Sequence, residues 1–546
     1  MEAHYPKYVL YGLLILGSWL LSSLLHFQVF HLSLSTSSFA APHRSAALVV
    51  LPTAHDATFL PPAAVVEAHD DQRRSSYASS SPPAKVEADD EDSRRSSSSL
   101  SPSLSSSSSS PSSSCNGRYV YMVDIPERFN MLKDCIKGSS LFDDIWSWCA
   151  NTVNGGMGPK ITGGNGTDIG IIPSTGWYST DQYALEVIFH HRMRRYECLT
   201  DDPAAATAVY VPYYPAIELH QHLCGVNASV RDGASQAFLR WLSAQPSWAV
   251  LGGRDHFMIT AKTSWMFRRE PGGPDEWCGN NFLNQAEARN MTALTYESNV
   301  WQRRDFAVPY PSYFHPSSAQ EVAAWQARAR AARRPHLMAF AGARRAKGQL
   351  AIRDKVFDLC EQAKERGTCG VVDCSHGLEG SITCRTAERL LNLFASARFC
   401  LQPRGDSFMR RSTIDTVMAG CIPVFFHRAS TLKLQYRWHE PDPVFGDGER
   451  RYYVLLDPND VVSGKVDVEE VLGRYTDEQV AAMREEVIKM IPRFLYKDPR
   501  VRFEGNMTDA FDIAIERVLE RMRRIKNGEV LEWKDDDGPV VLPTDS

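Results

Sequence analysis

Three stretches of this chain carry residue types that could do chemistry. The densest runs from Ser396 to Asp415 as Ser-Ala-Arg-Phe-Cys-Leu-Gln-Pro-Arg-Gly-Asp-Ser-Phe-Met-Arg-Arg-Ser-Thr-Ile-Asp and continues as Ala419-Gly-Cys-Ile-Pro-Val-Phe-Phe426. Its pattern reads strand, loop, helix, strand. The loop Arg404-Gly405-Asp406-Ser407 then falls at a helix N-terminus, where unpaired amides and the helix dipole favour a phosphate, and Arg410 and Arg411 add positive charge one turn on. Asp415 follows at a spacing that puts its carboxylate on the arginine face, able to accept from ribose hydroxyls. The same spacing also fits Asp406 and Ser407 as helix caps and the arginines as an exposed face paired with Asp415. A second basic loop, Gly342-Ala-Arg-Arg-Ala-Lys-Gly348, follows a strand, so Arg344, Arg345 and Lys347 could reach a departing diphosphate or lie on a solvated surface. Neither loop carries a phosphate-loop or dinucleotide fingerprint. The third group holds candidate general bases: Asp255 and His256 after Gly252-Gly253, and Glu297 in Thr295-Tyr-Glu-Ser298. Their competing readings are a turn aspartate and a satisfied buried histidine. Asp-x-Asp pairs occur at Asp90 and Asp92 and at Asp535 and Asp537, both in poor structural context, so no catalytic metal is expected.

The elements that must position these groups alternate. A helix is predicted from Asp181 to Cys198, with Ser179 and Gln182 at capping-box spacing and Ala184, Val187, Ile188 and His191 on one face. A strand follows at Thr207 to Tyr213, a helix at Ala234 to Ala244 and a strand at His256 to Thr260. After a basic helical stretch from Val322 to Arg334 the rhythm restarts: strand His336 to Ala341, helix Leu350 to Ala363, strand Ala397 to Leu401, helix Met409 to Ala419, strand Ile422 to Phe426. Helices at Thr476 to Ile491 and Asp509 to Lys526 would close the layers. The expected class is α/β, with parallel sheets in two halves, 115–330 and 335–526, that face a cleft where a two-part ligand could bind.

Length allows this organisation: 546 residues suit two or three domains. Sixty Lys plus Arg against 65 Asp plus Glu give a net charge of -5, which offers no broad footprint for nucleic acid. The N-terminal part differs in kind. Residues 1–8 precede a run from Val9 to Phe30 that lacks Asp, Glu, Lys and Arg and would reach about 33 Å as a helix. With Lys7 before it and no Lys or Arg until Arg44, it reads as a signal anchor with its N-terminus in the cytosol, a cleaved signal peptide ending near Ser38-Phe39-Ala40 being the rival. Residues 31–114 are a disordered stem, since 16 of the 22 residues from Ser93 to Ser114 are serine and cannot bury a core. Residues 527–546 form a tail. A lumenal address fits sequons at Asn165, Asn227, Asn290 and Asn506 and the 12 cysteines, all from Cys115 onward. Cys360, Cys369, Cys374 and Cys384 lack the close pairs of a zinc site and read as a disulfide-stapled loop.

Longer motifs carry a resemblance. Cys115-Asn-Gly-Arg-Tyr-Val-Tyr-Met-Val-Asp-Ile-Pro126, Gly253-Arg-Asp-His-Phe257, Ala307-Val-Pro-Tyr-Pro-Ser-Tyr-Phe-His-Pro316 and Phe399-Cys-Leu-Gln-Pro-Arg-Gly-Asp-Ser407 with Ala419-Gly-Cys-Ile-Pro-Val-Phe-Phe-His427 resemble the exostosin domain of plant glycosyltransferase family 47, and within it the Katamari-type xyloglucan galactosyltransferases. The resemblance spans Cys115 to Lys526. It implies a GT-B-like fold of two Rossmann-like domains, a single-pass type II Golgi membrane glycoprotein with a lumenal catalytic domain, and inverting, metal-independent transfer from a uridine-diphosphate sugar to a cell-wall matrix glycan. It makes Arg404, Gly405, Asp406, Ser407, Arg410, Arg411 and Asp415 the donor-binding stretch, Arg344 the contact to the leaving group with Lys347 nearby, and the N-terminal domain the acceptor half. Three departures stand out: Arg404 replaces an expected second proline, Met266 replaces an expected acid, and Cys224 and Cys278 are extra and would pair.

The implied function is transfer of galactose from UDP-galactose to xylosyl side chains of xyloglucan, with UDP-sugar, glycan, Golgi membrane and other Golgi glycosyltransferases as partners and no cofactor. Alternatives are a galacturonosyl- or arabinopyranosyltransferase on similar side chains, since a donor change needs few pocket contacts, and a non-catalytic glycan-binding or scaffold subunit.

Overall fold

The computed structural model describes residues 115–133, 135, 148–224, 226–269, 278–298, 305–344, 351–375, 377–441 and 452–529. The predicted anchor at 9–30, the stem at 31–114 and nearly all of the tail lie outside these residues. No helix among the described residues is long and apolar enough to cross a membrane.

Two parallel sheets organise the chain. The first has the order β2-β1-β3-β4-β5-β6, built from β1 Val120–Met122, β2 Leu199–Thr200, β3 Ala208–Tyr210, β4 His256–Thr260, β5 Thr292–Thr295 and β6 Asp305–Ala307. The second has the order β11-β10-β9-β7-β8, from β7 His336–Gly342, β8 Cys369–Asp373, β9 Ala397–Gln402, β10 Ile422–Phe425 and β11 Val454–Leu455. Every residue of β3, β4, β5 and β10 is buried, as expected of parallel strands covered on both faces. That is why these strands read as apolar runs rather than as alternating patterns.

The helices that matter for the site are α1 Leu185–Met193, α2 Pro215–Gln221, α3 Ala228–Ser243, α4 Ala319–Ala331, α5 Ala351–Lys364, α6 Ala387–Ala395, α7 Arg411–Met418, α8 Asp477–Met490 and α9 Ala510–Lys526. Most lie within a few residues of the predicted spans. The N-terminus of α1 differs. No side chain caps it at Ala184, and the expected Ser179 and Gln182 box is absent. Asp181 instead accepts from the Tyr183 amide at 2.8 Å, turning residues 181–184 outside the helix.

The change of sheet falls at α4, whose Ser318 cap accepts from the Glu321 amide at 3.2 Å. Trp325 of α4 packs edge-on to Trp177, ring centres 4.5 Å apart, and donates to the Met418 carbonyl at 2.8 Å, so α4 holds both halves. The C-terminal helix ends at Lys526, the expected end of the second half. α9 packs on the first half: Phe511 lies 4.6 Å from the Phe189 ring, Arg192 reaches Asp512 at 3.1 Å, and Arg521 reaches Thr292 at 3.2 Å. Its apolar face, with Phe511, Ile515, Val518 and Met522, is complementary to the first sheet, a choice that periodicity along the helix does not encode.

All twelve cysteines pair: Cys115 with Cys198, Cys135 with Cys149, Cys224 with Cys278, Cys360 with Cys369, Cys374 with Cys384, and Cys400 with Cys421. The Cys360 to Cys384 group is therefore two short staples, and the extra Cys224 and Cys278 form a bond across 54 residues. The four sequon asparagines are all exposed, as an acceptor for glycosylation must be.

Candidate functional site

In an open parallel sheet ligands bind beyond the carboxyl ends of the strands, where the strand order reverses. In the second sheet the chain passes from β7 outward to β8 and returns to β9 on the other side of β7, so the reversal lies between β7 and β9. The loops leaving those two strands are Ala343-Arg344 and Pro403 to Arg410. Topology thus brings the two basic loops to one crevice.

The second loop is built for an anion. No side chain caps α7 at Arg410. Ser407 gives its hydroxyl hydrogen to the Met409 carbonyl at 2.8 Å, and Asp406 lies 3.9 Å from Arg410, so neither acts as the cap that spacing also allowed. The Thr413 amide donates to the Arg410 carbonyl at 3.0 Å, and no side chain among the described residues takes the amides of Arg411 and Ser412 before it. The Arg410 guanidinium lies against the Cα of Gly405, so tightly that a Cβ there would overlap it. Arg404 lies over Phe408, 5.4 Å from the ring centre, and His427 stacks on that ring at 4.7 Å.

Gly405 is therefore what lets Arg410 fold back over the loop. Gly405→Ala is expected to lower kcat/KM about tenfold by displacing that guanidinium, with little change in melting temperature because the displaced atoms are the end of a flexible side chain. The double variant with Arg410→Ala is expected to be no slower than Arg410→Ala alone. Strict additivity of the two losses would refute the linkage.

Arg411 crosses to the first half. Its Nη1 donates to the Thr180 carbonyl at 2.7 Å and its guanidinium lies over the Tyr313 ring at 3.8 Å. Its Nε and Nη2 are buried with no hydrogen-bond partner among the described residues. Asp415, expected to meet a ribose, is 1% exposed and stands 3.8 Å from Arg411 Nε. It supports Arg411 and does not open onto the crevice. Burial pushes its carboxyl up to about 6 against the pull of Arg411.

Facing this loop from the first sheet is a polar group that local sequence patterns did not single out. Lys262, two residues past β4, is 1% exposed and lies 4.0 Å over the Tyr183 ring. Burial pulls its ammonium down to about 8, with Asp181 and Glu186 opposing the shift. Asp181 comes within 3.6 Å of Arg385 of the second half. Tyr183 senses both Asp181 and the loop residues Arg410 and Asp406, and burial raises its phenol. Glu186 of α1 accepts from the amides of Ala216 and Ala261 at 2.9 and 3.0 Å, pinning the segments that leave β3 and β4, and burial raises it to about 8. The usable signal for Lys262 is its place just beyond a strand end; Asp181 and Tyr183 had none, because the turn that presents them looks like a helix start.

The candidate bases separate. Glu297 lies two residues past β5, at the carboxyl edge, and accepts from the Phe408 amide of the Arg404 to Arg410 loop at 3.1 Å. Asp255 and His256 do not join the site. His256 opens β4, so the pair sits at the amino edge of the sheet, buried, with His256 Nδ1 2.8 Å from Asp255 and the ring 5.1 Å from Trp248. Arg344 also differs from expectation: its guanidinium reaches Asp358 of α5 at 2.6 Å and lies 4.1 Å over Phe357, away from the Arg404 loop. Lys347 lies outside the described residues. Among the described residues no three His, Cys, Asp or Glu side chains are grouped to hold a metal.

Two parallel sheets, with an uncapped, arginine-flanked helix N-terminus at the order reversal of one and a buried polar group facing it from the other, define an α/β protein. Residues 114–472 match the exostosin GT47 domain. The chain belongs to that glycosyltransferase family. It is 38% identical over 422 residues to the xyloglucan galactosyltransferase MUR3 of Arabidopsis thaliana, covering 77% of this chain and 64% of that one. To the probable xyloglucan galactosyltransferase GT15 of the same plant it is 39% identical over 423 residues, 76% of this chain and 85% of the relative. To the xyloglucan galactosyltransferase XLT2, also from that plant, it is 38% identical over 419 residues, 75% and 76% of the two chains. Among solved structures the likeness to the GtfA/B complex is partial, with a TM-score of 0.28 and 12% identity over 53% of this chain and 61% of that one.

Proposed function

We propose that this protein is an inverting galactosyltransferase that transfers galactose from UDP-galactose to xylosyl side chains of xyloglucan. The observation that carries the reading is the uncapped N-terminus of α7 with Arg410 and Arg411 beside it, in a family whose relatives bear that activity in their names. In this reading the two sheets are the two Rossmann-like halves of a GT-B-like enzyme. The α7 amides, Arg410 and Arg411 hold the diphosphate and neutralise the charge that develops as its bond to the sugar breaks. The acceptor hydroxyl attacks the anomeric carbon from the opposite face, its proton passes to a carboxylate, and UDP departs with the electron pair. Asp181 is the carboxylate we assign to that proton, because it fronts the second half beside Arg385 and Tyr183. Cations and helix amides take the part that a metal plays in other transferases. Residues 9–30 would anchor the enzyme in the Golgi membrane as a type II protein, with other glycosyltransferases as neighbours.

The test uses full-length protein in detergent, xyloglucan oligosaccharides and UDP-galactose with a chelator present. A mass gain of one hexose is the expected result, and no gain would refute the reading. A second reading, transfer of galacturonic acid, is favoured by one feature, the buried Lys262 as a partner for a sugar carboxylate. A gain from UDP-galacturonic acid alone would establish it over the first.

A further inference from the structure

Glu297 belongs to the first sheet, yet its surroundings belong to the second. The residue is 5% exposed and its carboxylate accepts from the Phe408 amide at 3.1 Å, with the Met409 amide and Ser407 hydroxyl favouring its charge. The residues beside it are bound across the same seam. The Ser298 amide donates to Gln435 Oε1 at 2.8 Å, the Ser298 hydroxyl to the Gln435 carbonyl at 3.1 Å, and Tyr436 to the Tyr296 carbonyl at 3.0 Å. A carboxylate whose lone pairs are taken by backbone amides in a closed site has little left for an acceptor hydroxyl, which a general base must reach.

From this geometry we infer that Glu297 is a positioning residue that clasps the Arg404 to Arg410 loop, so that the donor pocket forms only when both halves are docked. The inference rests on the donor-loop reading above. An amide held by a buried carboxylate fixes the loop backbone, and with it the directions in which Arg404 and Arg410 point. The clasp also makes donor binding sensitive to pH. Burial raises Glu297 to about 7, opposed by the loop amides, Ser407 and Arg410; Tyr310 beyond β6 and Tyr436 are the other titratable groups that sense it. Protonation removes the charge that holds the amides, so the loop loosens as pH falls through about 7.

The experiment uses full-length protein in detergent, with UDP alone as the probe. In Glu297→Ala the amides of residues 404–411 are expected to exchange hydrogen about tenfold faster, and the Kd for UDP to rise about tenfold. Glu297→Gln keeps a carbonyl acceptor but not the charge, so it is expected to match wild type near pH 6, lying between wild type at pH 8 and the alanine variant in both readouts, and to turn over faster than the alanine variant. If alanine leaves loop exchange and UDP affinity unchanged while turnover vanishes, and glutamine is equally inactive, Glu297 is a base and the inference is overturned. Loop exchange is read without nucleotide. A wild-type protein that fails to bind UDP therefore sinks the donor-loop reading, while exchange alone still decides the clasp. Should the alanine variant unfold, the pH profile carries the test: wild-type UDP affinity falls more steeply between pH 8 and pH 6 than that of Glu297→Gln, and parallel profiles overturn the inference.

Discussion

Arg410→Ala is expected to lower kcat/KM by about 10² to 10³-fold, the usual cost of removing one preorganised group that stabilises developing charge. The same change should move the melting temperature by no more than about 2 °C. The reason lies in the side chain's surroundings. Arg410 is 28% exposed and its described ion contact, 3.9 Å to a half-exposed Asp406, is of the kind that contributes about 1 kcal/mol or less. It does little for folding and stands where the diphosphate is proposed to lie. Arg410→Lys keeps the charge but not the planar fork, and should recover part of the loss. Steady-state kinetics beside a melting curve check the prediction, and wild-type kcat/KM in a folded Arg410→Ala protein would remove this residue from the mechanism.

Arg411→Ala should cost both activity and stability, and the stability loss should depend on pH. Removing Arg411 takes away its bond to the Thr180 carbonyl, its stack on Tyr313 and the cation that faces buried Asp415. The sign follows from Asp415. Its folded-state carboxyl is raised from 3.8 to about 6, so the folded protein holds this proton more tightly than the unfolded one, and stability falls as pH rises from about 4 to about 6. Without Arg411 the carboxyl rises further and the losing range extends upward. The variant is therefore expected to be about 2 to 4 kcal/mol less stable than wild type at pH 8 and closer to it at pH 5. Chemical denaturation at the two pH values measures this. Adding Asp415→Asn should restore stability at pH 8 without restoring transfer, whereas a pH-independent loss would mean that Asp415 is not the group responsible.

Most of the second half was legible in the chain. The strand, loop, helix and strand from Ala397 to Phe425 follow from an apolar run buried on both faces, a proline and glycine break, and a helical spacing, all local signals. The first half was less so, because β1, β2, β5 and β6 are two to four residues long and too short to show a period. The placing of Asp255 and His256 follows from a signal that the sequence contains: they lie at or before the start of their strand, and a residue there sits at the edge opposite the carboxyl ends. Glu297 and Lys262, which follow theirs, obey the same rule in the other sense.

What the sequence alone determined was the class and the family, since strand and helix periods are set within ten or so residues and ordered motifs survive however the chain is packed. What the tertiary structure decided was which residues share a crevice. Strand order put the Arg344 and Arg404 loops at one reversal point, turned the Arg344 side chain toward α5, folded α9 back onto the first sheet, and brought Glu297 to an amide 111 residues away. Such contacts depend on how two sheets dock, through surfaces whose complementarity no period along the chain records.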